Sequence, residues 1–93
     1  MMRELDELRK EIDNIDSELI ILFEKRMDIV KEVIDYKLFH DLPIYQSDRE
    51  QEVIQKNLEK VKNKDLKQYV TLFLENMMTL SKSYQSELKD KKI

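Results

Sequence analysis

Arg26 stands where a solvated cation does not belong. Positions 5, 8, 12, 15, 19, 22, 26, 29, 33 and 36 hold Leu5, Leu8, Ile12, Ile15, Leu19, Leu22, Arg26, Ile29, Val33 and Tyr36, in steps that alternate three and four. This is a heptad seam along one helix, apolar or aromatic at nine of ten positions. Arg9 and Lys37 follow the seam residues Leu8 and Tyr36, four heptads apart, and so lie on one side of the same rod. Further on, Arg49 and Glu50 open a second helical run, and Ser81 and Gln85 sit one turn apart beside Met77, Met78 and Leu88. Taken singly, each has a structural reading. Arg26 can set register, Arg9 and Lys37 can make interhelical ion pairs, Arg49 and Glu50 can be a cap with a surface pair, and Ser81 and Gln85 can edge a stripe. Taken together, they can build a cluster of guanidinium and ammonium groups. Its natural ligand is a small polyanion, most simply a dicarboxylate, because arginine grips carboxylates with two parallel hydrogen bonds.

Distance sets a condition on that cluster. Arg9 and Arg26 are roughly 25 Å apart along a helix, and Arg26 and Lys37 about 16 Å. A small ligand cannot touch Arg9 and Lys37 of one chain. An antiparallel partner helix, with its dyad near residues 19–22, brings Arg9 of one chain opposite roughly residue 30 of the other, between Arg26 and Lys37. Two symmetric pockets per dimer would follow, each joined by Arg49 and Gln85 from later helices folded back on the rod.

The elements that must position these groups are all helical. The 93 residues include no Gly and one Pro, with 40% charged and 41% hydrophobic residues. Strand-like alternation does not extend over any useful length. The first helix is expected over about residues 3–39 and is roughly 50 Å long. A compact chain of this size has a radius of gyration of only about 12 Å. The remaining residues cannot cover such a rod, which is a second reason to expect a partner chain. Residues 40–46 contain Pro43 and read as a loop. Ser47 with Glu50 reads as a capping box opening helix two, about residues 48–62, with Val53, Ile54, Leu58 and Val61 on one face. Asp65 with Gln68 is a second capping signal, opening helix three over about residues 65–88. Its apolar stripe reads Leu66, Val70, Phe73, Met77, Leu80 and Tyr84, and the tail from Lys89 to Ile93 is expected to fray. One domain accounts for residues 1–93.

Composition excludes several classes of function. The chain has no Cys, which rules out disulfides and thiolate chemistry and fits a reducing cytoplasm. The start MMRELDELRKEID has no apolar core, so no signal peptide is expected, and no apolar run approaches the roughly 20 residues of a membrane span. A net charge of −3 argues against nucleic acid as partner. Against that acidic background, an inner cluster of cations is the more informative. The lysines between Lys56 and Lys67 alternate with acidic residues and read as a solvated face, and His40 as an ordinary helix-end histidine.

The ordered set of residues resembles the AroQ class of all-helical chorismate mutases. The resemblance rests on Leu8-Arg9, Ile12-Asp13, Ile15-Asp16, Leu19, Leu22, Arg26, Val33, Lys37, Pro43-Ile44, Asp48-Arg49-Glu50, Val53, Ser81 and Gln85, and covers about residues 5–88. It implies an all-α chain of one long, one short and one medium helix, paired as an intertwined antiparallel six-helix homodimer. It also implies rearrangement of chorismate to prephenate, the branch step toward phenylalanine and tyrosine. By the same resemblance, Arg26 and the partner-donated Arg9 clamp carboxylates, and Lys37 holds a carboxylate and the ether oxygen. Gln85 would be a second donor to that oxygen, Arg49 a pocket arginine, Glu50 the acceptor for the ring hydroxyl, and Ser81 a pocket-lining serine. Gln46 departs from the aspartate common in bacterial relatives, so a changed contact is expected there. The reaction is pericyclic, and the resemblance calls for no metal, cofactor, nucleophile or general base. It needs the flexible ether held in a compact conformer, and fixed donors where charge grows on the ether oxygen. Because Gln85 does not titrate, no acidic optimum is expected. Two other readings use the same seam. One is an isochorismate pyruvate lyase on the same scaffold, separable by product analysis. The other is a non-catalytic helical adaptor, which has no need for Arg26, Lys37 and Gln85 together.

Overall fold

The computed structural model describes residues 2–91. Among them, three helices and one short 3-10 turn make up the regular structure, with no strand: α1 (Leu5–Phe39), α2 (Ser47–Leu58), the turn Lys64–Leu66, and α3 (Lys67–Lys91). The fold is all-α.

α3 packs on both α1 and α2. Its contact with α1 supplies the core, in which Val30 and Ile34 meet Leu74 and Met78; Ile34 is fully buried. Polar Lys37, Ser81 and Gln85 continue the same two faces and are equally buried. This face of α3 is not the stripe read from the sequence. Leu66, Phe73 and Leu80 of that stripe are exposed, and the buried set lies one residue further round. The hydrophobic spacing favours the first set; packing nonetheless turns toward α1 the face that carries Leu74 and Met78 together with the polar Ser81 and Gln85.

α1 divides into two halves of opposite character. Every residue from 2 to 22 is exposed, including Leu5, Leu8, Ile12, Ile15, Leu19 and Leu22. Leu22 and Ile29 on the seam are 60% and 59% exposed. The radius of gyration is 16.9 Å, and the chain measures 58 × 26 × 14 Å, so it is about one helix layer thick. Its accessible surface is 8031 Å². A compact chain of 11.4 kDa exposes about 5,800 Å². Much of this chain's surface lies on an amphipathic rod whose apolar seam over residues 5–22 is exposed in its own chain.

α1 stops in a Schellman turn built without glycine. Leu42 N–H donates to Lys37 O at 2.8 Å and Asp41 N–H to Leu38 O at 3.5 Å, with Asp41 at φ 54°. Aspartate tolerates the left-handed region better than most residues, yet still at some cost. Asp41→Gly is expected to raise the unfolding free energy by about 0.5 kcal/mol, the steric relief outweighing the added freedom of the unfolded chain. Thermal unfolding at fixed protein concentration checks this, and a lowered midpoint would refute it. The turn sends the chain back over the end of α1, where Ile44 O accepts a hydrogen bond from Lys37 Nζ at 2.8 Å.

The later helix ends differ from the sequence reading. Ser47 is the first helical residue rather than the cap; Gln46 occupies the cap position and makes no side-chain cap bond. Glu50 is drawn away from a capping box by an ion pair with Lys82. α2 closes at Leu58 instead of near Lys62, because Lys60 and Val61 turn onto the Asn57 and Leu58 carbonyls with tighter, three-residue bonds. Asn63, not Asp65, caps the 3-10 turn, its side chain accepting from Asp65 N–H at 3.1 Å. α3 continues through Lys91, past the tail expected to fray from Lys89. Lys89 and Lys91 suit the negative end of the helix dipole, and Lys91 pairs with Glu87 one turn back. Lys92 and Ile93, the rest of that tail, lie outside the described residues.

Candidate active site

Where α1, α2, α3 and the residue 40–46 loop converge, they enclose a cleft of about 370 Å³. That size suits a small organic ligand. Seven of the eight residues nominated from the sequence line it: Arg26, Lys37, Gln46, Arg49, Glu50, Ser81 and Gln85. Arg9 does not. It sits on the exposed N-terminal half of α1, as the helix length requires. The apolar floor and walls come from Val30, Val33, Ile44, Val53 and Met78.

One of the buried polar groups is the Lys37 ammonium. It donates to Ile44 O at 2.8 Å and to Gln85 Oε1 at 2.9 Å, across 48 residues of sequence. An ammonium has three donors and no lone pair. Two are spent on these partners, which leaves one N–H for a ligand. The same fact orients Gln85: its oxygen must face Lys37, so its NH2 is the end left to donate. Arg26 Nη1 donates to Ser81 Oγ, and Ser81 Oγ in turn donates to Met77 O at 3.0 Å. Ser81 thereby fixes the guanidinium that interrupts the seam. No buried side-chain nitrogen or oxygen among the described residues lacks a hydrogen-bond partner.

Burial shows in the titration of both cations. Desolvation lowers the Lys37 pKa from its ordinary 10.5, and the nearby Glu50 carboxylate opposes that shift. Desolvation also lowers the Arg26 pKa from its ordinary value, and the like charge of Arg49 adds to that lowering. Arg49 itself sits at the exposed rim, its Nη1 2.7 Å from Glu52 Oε1.

Sequence reasoning missed Lys82. It lines the cleft, pairs with Glu50 at 3.0 Å, and lies over the Tyr45 ring. Nothing local marks it: it is one charged residue in a chain with 40% of them, and its partners Glu50 and Tyr45 are distant in sequence. With it, four cations and one carboxylate line a cleft in a chain whose net charge is −3. The arrangement is built to receive an anion.

The family model of chorismate mutase type II matches residues 8–86. The chain belongs to this family. Two T-proteins are similar to it over part of its length: that of Haemophilus influenzae is 48% identical over 54 residues, and that of Enterobacter agglomerans 44% over 50. The bifunctional chorismate mutase/prephenate dehydratase of Aquifex aeolicus is 44% identical over 57 residues. These matches cover 58%, 54% and 61% of this chain, respectively, but only 14%, 13% and 16% of the relatives. The chain thus aligns with about one seventh of each of these relatives. No solved structure matches it significantly.

Proposed function

We propose that this chorismate mutase-family chain rearranges chorismate to prephenate, the two carboxylates of the substrate being held by its cleft cations. The observation that carries this reading is the buried Lys37–Gln85 pair in a cleft with four cations, within a chain matched to the family over residues 8–86. As the ether C–O bond breaks and the new C–C bond forms, negative charge grows on the ether oxygen. The free N–H of Lys37 and the NH2 of Gln85 are the donors available to it. They are fixed before the reaction by Ile44 O and by each other, so little reorganisation is needed. Arg26, held by Ser81, takes a carboxylate. Glu50 accepts the ring hydroxyl, and Gln46 and Arg49 complete the rim. Purified protein is tested by following loss of chorismate and appearance of prephenate; release of pyruvate from isochorismate in its place would favour the lyase reading. No observation favours the non-catalytic adaptor.

The site works as half of a homodimer in this reading, with Arg9 supplied by the other chain. The bare seam over residues 5–22 and the roughly 2,200 Å² of surplus surface support it, since stable dimers bury areas of about this order. A helix as bare as this half is marginal in water without tertiary packing. The place of action is the cytoplasm; among the described residues, no helix is long and apolar enough to cross a membrane.

Lys37 also sets an expected pH dependence. It must be protonated to bind and donate, and burial lowers its pKa. The alkaline limb of kcat/KM therefore falls below 10.5, the ordinary lysine value. Glu50 works against that lowering, so Glu50→Gln moves the limb to lower pH. Rate profiles of both proteins check this; a limb unmoved or raised by Glu50→Gln would contradict it.

A further inference from the structure

Lys82 donates nothing to the reacting atoms in the chemistry above. Its Nζ lies 3.0 Å from Glu50 Oε2 and 3.3 Å from Oε1, so one ammonium holds both oxygens of the carboxylate. The same Nζ is 4.6 Å from the centre of the Tyr45 ring. One side chain of α3 thus ties down α2 through Glu50 and the residue 40–46 loop through Tyr45. Neither partner of the ion pair is fully solvated: the Lys82 and Glu50 side chains are 31% and 23% exposed. A cation over an aromatic face adds to such a pair when it is partly desolvated.

We propose that Lys82 is a positioning residue for substrate affinity: its two-oxygen grip on Glu50 keeps that carboxylate off Lys37 and leaves the Lys37 ammonium open to the substrate. The inference rests on the chorismate reading of the cleft. Its physical basis is competition for one cation. Glu50 already acts on the charge of Lys37 through space. Arg49, the cation next to Glu50 on α2, is engaged by Glu52. Without Lys82, the Glu50 carboxylate turns to Lys37, and an incoming substrate carboxylate must displace it. That penalty falls on binding, so it appears in KM. Once substrate is seated, the donors to the ether oxygen are unchanged, and kcat is largely kept. Tyr45, released from the ammonium, adds to the effect by loosening the loop that carries Ile44 and Gln46.

The test is steady-state kinetics with chorismate on the full chain. The proteins are wild type, Lys82→Met, Lys82→Arg, Glu50→Gln and the Lys82→Met/Glu50→Gln double variant, each with a thermal unfolding curve. Methionine keeps most of the apolar stem and removes the charge. Lys82→Met is expected to raise KM about tenfold with kcat changed less than about threefold, and Lys82→Arg to restore KM. In the Glu50→Gln background, Lys82→Met is expected to change KM less than about twofold, because the residue acts through Glu50. An equal rise in both backgrounds overturns the proposal and makes Lys82 a general source of positive charge. A lowered midpoint with KM unchanged also overturns it and leaves only a structural tie. If the wild type itself leaves chorismate unconverted, the functional reading fails, and this inference falls with it; an active wild type matched by Lys82→Met sinks the inference alone.

Discussion

Lys37→Ala is expected to lower kcat/KM for chorismate by about 10³- to 10⁵-fold while leaving the helix content and the association state unchanged. The size follows from what one ammonium does. In the proposed reaction it is a charged donor to the ether oxygen, where loss of a single donor typically costs 10²- to 10³-fold. In the same proposal it pairs with a substrate carboxylate, and loss of such a pairing costs about 2–5 kcal/mol. Stability should change far less. Removal of the ammonium leaves Gln85 Oε1 and Ile44 O without their donor, which is unfavourable. It also removes a cation whose lowered pKa records the cost of its burial, and the two effects oppose each other. Kinetics, circular dichroism and sedimentation together make the test. Turnover near that of wild type would remove Lys37 from the mechanism.

Arg9→Ala is expected to cost about 10²- to 10⁴-fold in kcat/KM, although Arg9 lines no part of the cleft in its own chain. The decisive form of the experiment mixes two defective proteins. When Arg9→Ala and Lys37→Ala chains are unfolded together and refolded, half of the dimers should be mixed. In an antiparallel two-fold pair, one site of each mixed dimer carries both defects and the other carries neither. Activity should then recover to about a quarter of wild type from two nearly inactive parents. A monomeric chain, or a dimer in which Arg9 serves its own site, gives no recovery. The length of α1 is the reason to expect recovery, since Arg9 and Lys37 lie too far apart along it to touch one small ligand.

Much of the candidate site was legible because helices obey a short-range code. Arg26 is conspicuous as a cation in an apolar repeat, and the spacing of Ser81 and Gln85 places them on one turn. Lys82 was not legible, since a lysine in a chain with 40% charged residues carries no signal until Glu50 and Tyr45 are seen around it. The capping boxes misled for a related reason. Glu50 can satisfy a helix end or an ion pair, and local sequence cannot rank a bond three residues away against one 32 residues away.

The sequence by itself determined that this chain is helical throughout, that α1 is a long rod with one apolar seam, and that this seam carries an arginine. Those properties follow from periodicity and from the absence of glycine, which act over a few residues. Only the tertiary structure decided which face of α3 meets α1, and so that Leu74, Met78, Ser81 and Gln85 are buried while Leu66, Phe73 and Leu80 are left outside. It also decided that Lys37 meets Gln85 and that Lys82 holds Glu50. A helical repeat marks the more apolar face of α3, yet the face that turns inward is the one carrying Ser81 and Gln85. The choice between them rests on shape and on polar partners distant in sequence, which exist only once the helices have packed.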